Sequence, residues 1–155
     1  MQNVETAQDV RGAAHQAFLL LRVGFTAAPI LFGLDKFFNW TVHWPDYLAG
    51  WVNSLMPGSA QDFMYFVGAV EIVAGLTVAV APIVGAPLVA AWLGGIIVNL
   101  LTNDPPEYYD IALRDFGLML AALTLTRLAF AFRTAPATTG APDRGRRRLG
   151  LRGAA

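Results

Sequence analysis

Residues 63–101 read FMYFVGAVEIVAGLTVAVAPIVGAPLVAAWLGGIIVNLL, and Glu71 is the only charged residue among them. A helix rises about 1.5 Å per residue, so about 20 apolar residues cross a hydrocarbon core about 30 Å thick. The run is therefore long enough for two crossings. Proline lacks a backbone N–H and disfavours helix in the residue before it, so Pro82 and residues 85–87 divide the run. The run predicts two membrane spans, residues 63–81 and 86–101.

Two more apolar stretches flank this run and complete the predicted fold. Residues 17–38 and 111–132 are each long enough to cross a membrane. Only 14% of the 155 residues are charged, whereas an average soluble domain has roughly 25%. A soluble helical bundle, the alternative, would carry charges along one face of each helix, and residues 85–102 carry none. We therefore expect an all-α, integral membrane four-helix bundle in contact with the lipid bilayer.

The placement of charge predicts the orientation of these spans. Seven arginines flank them on the side of the termini, whereas the opposite loops, residues 39–62 and 102–110, contain no Lys or Arg. The positive-inside bias then places both termini in the cytoplasm. Arginine clusters beside a membrane bind anionic lipid, so we expect no nucleic-acid partner. The predicted organisation is a cytoplasmic N-terminal segment (1–14), a transmembrane domain (15–133) and a disordered basic cytoplasmic tail (134–155).

The first outer loop is unusually aromatic for a connection. Five apolar residues repeat at steps of three and four, Trp44, Leu48, Trp51, Val52 and Leu55. This spacing predicts a short amphipathic helix that lies in the outer membrane interface or caps the bundle. A platform for a flat ligand such as a quinone ring is the alternative interpretation. The candidate interface residues of the loop are Trp40, His43, Trp44, Tyr47 and Trp51.

Charged side chains inside the spans form the candidate site. Each costs roughly 2.5–3.5 kcal/mol to insert, so their presence suggests a role. Glu71 lies near the middle of its span and must be paired or protonated. Arg22 approaches it from the cytoplasmic side, and Lys36 or Arg114 from the outer side. The candidate set is Arg22, Lys36, Glu71, Arg114 and Asp115. It is either a structural network that fixes helix register or a quinone or proton site.

Small residues indicate which way Glu71 faces. Gly68, Glu71 and Gly75 lie on one face of the second span, because residues three and four apart share a helix face. Small side chains let a neighbouring membrane helix approach closely. We therefore expect Glu71 to point into the bundle rather than at lipid.

The residue types also exclude several classes of function. The chain has no cysteine, which rules out disulfide scaffolds, cysteine-ligated zinc and thiol catalysis. Its two histidines, His15 and His43, lie on opposite sides of the predicted membrane and cannot jointly ligate a haem. The spans also lack the ligands of a di-metal centre. We predict no metal, no haem and no catalytic activity of the chain on its own.

Three parts of the sequence resemble the DoxX family of small four-helix bacterial membrane proteins. They are Arg22, residues 33–36 (GLDK) and residues 67–76 (VGAVEIVAGL), the last being similar to the family's Gly-x-x-Glu-x-x-x-Gly-Leu segment. The resemblance covers about residues 22–128. The family takes its name from a subunit of an archaeal thiosulfate:quinone oxidoreductase. The resemblance therefore implies a redox-associated subunit of a bacterial inner membrane, and it leaves thiosulfate itself open.

Together these features predict an integral-membrane accessory subunit of a respiratory or redox complex linked to quinone. It would dock on other membrane subunits, and a quinone is the one cofactor that the sequence suggests. Two alternatives stay open: an independent quinone-interacting oxidoreductase subunit, and a small transporter in which Glu71 is a proton-coupled site. A homo-oligomer also stays open.

Overall fold

A computed structural model describes residues 2–55, 57–104 and 107–134. The described residues form helices and connections, with no strand among them. In chain order the helices are α1 (Gln2–Phe38), a 3₁₀ helix (Trp44–Tyr47), α2 (Gly50–Asn53), α3 (Ala60–Val80), α4 (Pro82–Leu101) and α5 (Tyr109–Thr134). The prediction of an all-α chain is confirmed. The predicted disordered tail lies outside the described residues from position 135 onward.

Within the described part of the chain, α1, α3, α4 and α5 are long and apolar enough to cross a membrane. Their most apolar windows have mean hydropathies of 1.9, 2.0, 2.0 and 1.5. Large apolar side chains cover the outside of the bundle, and Leu20, Val80 and Leu113 are 75%, 80% and 72% exposed. Such exposure is unfavourable in water and ordinary against lipid tails. The chain is therefore a multi-pass membrane protein, as predicted.

Helix α1 is longer than the apolar stretch predicted. It has 37 residues and starts at Gln2, not near residue 17. At 1.5 Å per residue it is about 55 Å long, whereas a membrane core needs only about 30 Å. Residues 5–13 are exposed along it. Residues 2–14, which the sequence predicted as a separate segment, are thus part of α1.

Pro82 both ends α3 and begins α4. Ala81, between the two helices, has φ −140° and ψ 70°, so the helical path breaks there. Pro82 is the first helical residue of α4, a position where the missing N–H costs nothing because it would have no partner. The sequence predicted a start near residue 86, which left the third span short. The earlier start gives α4 20 residues, enough to cross the bilayer.

The four long helices pack as an up-and-down bundle. Helix α1 lies mainly against α3 and α4 against α5, while contacts of α3 with α4 and of α1 with α5 close the ring. We call the half that contains the α3–α4 connection the hairpin half, and the half next to the α1–α3 and α4–α5 connections the loop half. The hairpin half holds the packed core of Phe18, Phe25, Ala74, Val78, Ala86, Val89, Ala90, Ala122, Leu125 and Ala129.

Glycines bring α1 and α3 into close contact. A Cβ atom built on Gly68 would lie 2.6 Å from the carbonyl oxygen of Gly33, and one on Gly33 would lie 2.6 Å from that of Gly68. A Cβ on Gly75 would lie 2.8 Å from the carbonyl oxygen of Thr26. Real Cβ atoms do not fit at such distances, so only glycine permits this helix crossing. The close approach predicted from Gly68 and Gly75 is confirmed.

The first loop differs from the single amphipathic helix that its periodicity predicted. The 3₁₀ helix ends at Tyr47, and Leu48 and Ala49 have extended backbones before α2 begins. The cause is tertiary, because the Ala49 N–H donates to the side chain of Asn99 on α4 (2.9 Å) instead of to a helical carbonyl. Of the two placements predicted for this segment, the structure shows the cap on the bundle.

Candidate functional site

A buried ion pair lies where α1 crosses α3. The Lys36 ammonium donates to Glu71 Oε2 at 2.7 Å, and the two residues are 5% and 6% exposed. Gly33 and Lys36 share one face of α1, and Gly68 and Glu71 share one face of α3. The Gly33–Gly68 contact therefore sets lysine beside glutamate. Of the three cations that the sequence left as partners for Glu71, the structure selects Lys36.

Asp115 and Arg114 bring two further charges from α5. Asp115 is only 7% exposed. The Arg114 Nε lies 3.6 Å from Asp115 Oδ1, but 66% of the arginine side chain is exposed, so its charge sits at the bundle surface. Glu71 and Asp115 are therefore two buried carboxyl groups, and the Lys36 ammonium group bonds to Glu71.

Arg22 lies away from this cluster. Its guanidinium donates to the carbonyl oxygen of Ala79, near the end of α3 in the hairpin half, and lies 6.0 Å from the centre of the Phe18 ring. The last carbonyls of a helix lack partners within the helix and carry partial negative charge, so a cation suits them. The interpretation of Arg22 as a partner of Glu71 was wrong, because α1 and α3 are antiparallel and Arg22 meets α3 two turns further on.

A cavity of about 620 Å³ opens beside the ion pair in the loop half. Its walls come from all four long helices and its cover from residues 41–52. Most of its surface is apolar. A cavity of this size and character matches small-molecule sites, which run from about 300 to 1,000 Å³. The polar or charged lining residues are Lys36, Thr41, Trp44, Tyr47, Glu71, Trp92, Asn99, Arg114 and Asp115.

Asp35 organises the cover, and the sequence interpretation gave it no role. Its buried carboxylate accepts hydrogen bonds from the Trp40 N–H (2.9 Å), the Thr41 N–H (3.2 Å), the Thr41 hydroxyl and the Trp44 indole N–H (2.7 Å). The last bond holds the Trp44 ring over Lys36, whose Nζ lies 3.7 Å from the ring centre. The sequence contained a pattern that could have indicated this role. Asp35 lies at the end of an apolar stretch, and Thr41 and Trp44, which both carry hydrogen-bond donors, follow it closely.

The five aromatic or histidine residues predicted in the loop divide into two groups. Trp44 and Tyr47 line the cavity. Trp40 is 75% exposed and stacks on Phe38, the ring centres being 4.5 Å apart. His43 pairs with Asp46 at the surface (2.8 Å), and Trp51 donates to the Thr102 hydroxyl (2.8 Å). The second group of three therefore faces outward, and only Trp44 and Tyr47 take part in the cavity.

The far side of the cover is held by α4 and by the second loop. Asn99 accepts from the Ala49 N–H and donates to the Tyr47 carbonyl oxygen at 2.7 Å. The Tyr108 hydroxyl donates to the Asp46 carbonyl oxygen (3.2 Å), and its ring lies 4.5 Å from that of Tyr47. Burial raises the pKa of the Tyr108 phenol, with Tyr47 acting in the same direction. The phenol therefore keeps its proton and remains a donor at neutral pH.

Trp92 is the second residue that the sequence interpretation missed. It lines the cavity, and its indole nitrogen is buried without a hydrogen-bond partner among the described residues. It lines the same cavity as Glu71. Trp92 and Asn99 are seven residues apart and thus lie on one face of α4. The sequence offers no signal for Trp92 itself, because a tryptophan in an apolar run is ordinary.

These features define a class of protein: a small multi-pass membrane protein whose four helices enclose a mostly apolar cavity with a buried ion pair. The DoxX family model matches residues 17–101, more than half of the chain. The chain belongs to the DoxX family, as its sequence motifs predicted. The matched region contains Lys36, Glu71 and Trp92, whereas Asp115 follows it. No match was found among curated proteins or among solved structures.

Proposed function

We propose that this DoxX protein is an integral-membrane accessory subunit of a redox assembly and that its cavity binds the head group of a quinone. The observation that carries the proposal is the cavity of about 620 Å³ with Lys36 and Glu71 paired on its wall. Apolar lining with a few placed polar groups suits an aromatic ring that carries oxygen atoms. The cavity also lies within the membrane-spanning helices, where a lipid-soluble ligand is concentrated.

The side chains of the site support a binding and proton-exchanging role. Glu71 and Asp115 can take up or release a proton, and Lys36 can stabilise the charge that changes beside it. None of these three side chains carries electrons under physiological conditions. Electron transfer to or from a bound quinone is therefore assigned to a partner subunit, and the chain by itself is proposed to be non-catalytic.

Ligand binding tests the site. The full chain in lipid nanodiscs should bind a short-chain benzoquinone or its hydroquinone saturably, measured by calorimetry. Glu71→Gln should weaken binding of the preferred form about tenfold or more, which corresponds to about 1.4 kcal/mol. Asp46→Asn is the matched control, because it makes the same carboxyl-to-amide change on a residue that is absent from the cavity lining. Its affinity should equal that of the unmodified protein.

Absence of saturable binding for both redox forms would contradict the quinone site, and equal losses in the two variants would place the ligand elsewhere.

Purification from the native membrane in mild detergent tests the subunit role. We expect a stoichiometric membrane partner that carries a redox centre. A monodisperse assembly of this chain alone, with quinone bound, would overturn the accessory role and keep the quinone site.

A further inference from the structure

The ammonium group on the cavity wall is already engaged on two sides. Lys36 Nζ donates to Glu71 Oε2 at 2.7 Å, and the ring of Trp44 covers it at 3.7 Å from the ring centre. The Asp35 carboxylate holds that ring in place through the indole N–H. Little of the ammonium group is therefore left to donate to a ligand.

The cavity wall carries two buried carboxyl groups. Glu71 and Asp115 are 6% and 7% exposed, and an ionised carboxylate only accepts hydrogen bonds. Arg114 could offset one of them, but its side chain is mostly outside the bundle. Asn99 is occupied by the cover, since its side chain bonds to the backbone of Ala49 and of Tyr47. A ligand that donates hydrogen bonds fits this environment better than one that only accepts them.

One donor of the cavity is without a partner. The Trp92 indole N–H is buried and makes no hydrogen bond to the described residues. Buried donors nearly always have a hydrogen-bond partner. A buried N–H without a protein partner is therefore suited to an acceptor oxygen of a ligand or a water molecule. Trp92 and Glu71 line the same cavity, so an oxygen atom bound there can meet both the indole N–H and the carboxylate.

A hydroxyl group satisfies both neighbours at once. Its oxygen accepts from the Trp92 N–H while its own hydrogen is donated to Glu71. A quinone carbonyl oxygen can accept from Trp92, but its lone pairs would then face those of the carboxylate. A water molecule has the same donor and acceptor capacity as a hydroxyl, yet it leaves the apolar remainder of the cavity unfilled.

We propose that the cavity selects the reduced form of the ligand, a hydroquinone, with one phenolic hydroxyl between Trp92 and Glu71 and the ring against the apolar lining. This inference rests on the proposed quinone site and adds the redox form that the site prefers. In the assembly, the protein would then deliver or retain the hydroquinone, and Glu71 would hold the phenolic proton by hydrogen bond.

Three matched ligands test the preference on the unmodified chain. They are a short-chain benzoquinone, its hydroquinone, and the dimethyl ether of that hydroquinone, which keeps the ring and both oxygen atoms but has no O–H. Dissociation constants are measured anaerobically in nanodiscs by calorimetry. The hydroquinone should bind about tenfold tighter or more than either of the others, because a site built around a hydroxyl discriminates against analogues that lack it.

Two variants locate the preference on the named residues. Glu71→Gln supplies an amide N–H₂ that can donate to a carbonyl, so the advantage of the hydroquinone over the quinone should disappear or reverse. Trp92→Phe removes a donor that serves either oxygen, so both ligands should weaken together. Trp40→Phe is the control for Trp92→Phe, because Trp40 is an exposed tryptophan absent from the cavity lining. It should leave all three affinities unchanged.

The outcomes separate this inference from the function on which it rests. A quinone that binds as tightly as the hydroquinone overturns the inference and leaves the quinone site standing. A dimethyl ether as tight as the hydroquinone also overturns it, and this comparison needs no variant to fold. Failure of all three ligands to bind overturns both proposals.

Discussion

The two halves of the bundle are built from the same four helices but differ in packing and in buried charge. In the hairpin half the buried residues are mainly alanines with two phenylalanines, and Val78 and Leu125 are completely buried. In the loop half the same helices line a cavity of about 620 Å³ and bury Lys36, Glu71 and Asp115. The hairpin half is close-packed like an ordinary membrane protein. The loop half instead leaves space between its side chains that a ligand could fill.

The difference indicates where stability comes from. Side chains that line a cavity lack protein contacts on one side, and buried charges are unfavourable even when paired. The loop half therefore contributes less to stability per residue and depends on the tight hairpin half and on the glycine crossing of α1 with α3. Functional sites commonly carry such a cost, since the groups that bind a ligand are not those that pack best.

One of the two largest expected effects is on the packing of the hairpin half. A Cβ atom on Gly85 would overlap the backbone of Thr77 and Val78 in α3. Backbone cannot rotate away as a side chain can, so Gly85→Ala should lower the free energy of unfolding by about 3 kcal/mol or more. The measurement is unfolding in a denaturing-detergent titration.

The control for this substitution lies on the same helix. A Cβ atom on Gly94 would meet only the Met119 sulfur, at an ordinary 3.8 Å. Gly94→Ala should therefore be neutral, or stabilising by about 0.5–1 kcal/mol because alanine favours helix. If the two variants were equally stable, the hairpin half would not be the tightly packed one.

The second effect is the loss of one partner of the buried ion pair. Lys36→Met leaves Glu71 buried without its cation, which should cost about 3–5 kcal/mol. The double variant with Glu71→Met should recover most of that loss, because apolar residues can replace a buried pair. The same titration measures both variants.

Arg22→Met provides the comparison in the hairpin half. It removes one hydrogen bond to the Ala79 carbonyl oxygen, and should cost about 1 kcal/mol. The outcome that contradicts this expectation concerns the double variant Lys36→Met with Glu71→Met. If it were as unstable as Lys36→Met alone, folding would need the ion pair itself, and the loss would not come from an unpaired Glu71. That result would assign the two residues a structural role.

The sequence was sufficient for the parts of the fold that depend on hydropathy and helix period. Uncharged runs located the four spans, and glycines beside Glu71 indicated that it faces another helix. The partner of Glu71 was open because depth along the membrane normal ranks Arg22, Lys36 and Arg114 almost equally. The rotation of α1 against α3 decides it, and that rotation follows from the Gly33–Gly68 contact.

Other features of the site arise only from tertiary contacts. Helical spacing predicted one amphipathic helix in the first loop, but bonds to Asp35 and Asn99 separate it into two short helices. A tryptophan in an apolar run is ordinary, and only the fold shows that the Trp92 N–H lacks a partner. The membrane orientation and the bacterial inner membrane stay predictions from the arginines and from the family resemblance.

The smallest of the expected effects is confined to the cover of the loop half. Asp35→Asn replaces one of two accepting oxygens by an N–H₂ group, which opposes donors from Thr41 and Trp44. The free energy of local opening of the cover should fall by about 1–3 kcal/mol, while the free energy of global unfolding should stay the same. Amide hydrogen exchange in residues 40–53 should accelerate about tenfold or more, because about 1.4 kcal/mol corresponds to a factor of ten, while the hairpin half exchanges as before.

Asp46→Asn is the matched change on the same loop, where His43 at the surface is the one partner of the carboxylate among the described residues. An exposed pair contributes about 0–1 kcal/mol, so exchange should hardly change. Equal acceleration in both variants would mean that any lost charge loosens the cover. Acceleration that reached the hairpin half after Asp35→Asn would mean that the two halves open together, and the separation between a packed half and a binding half would then fail.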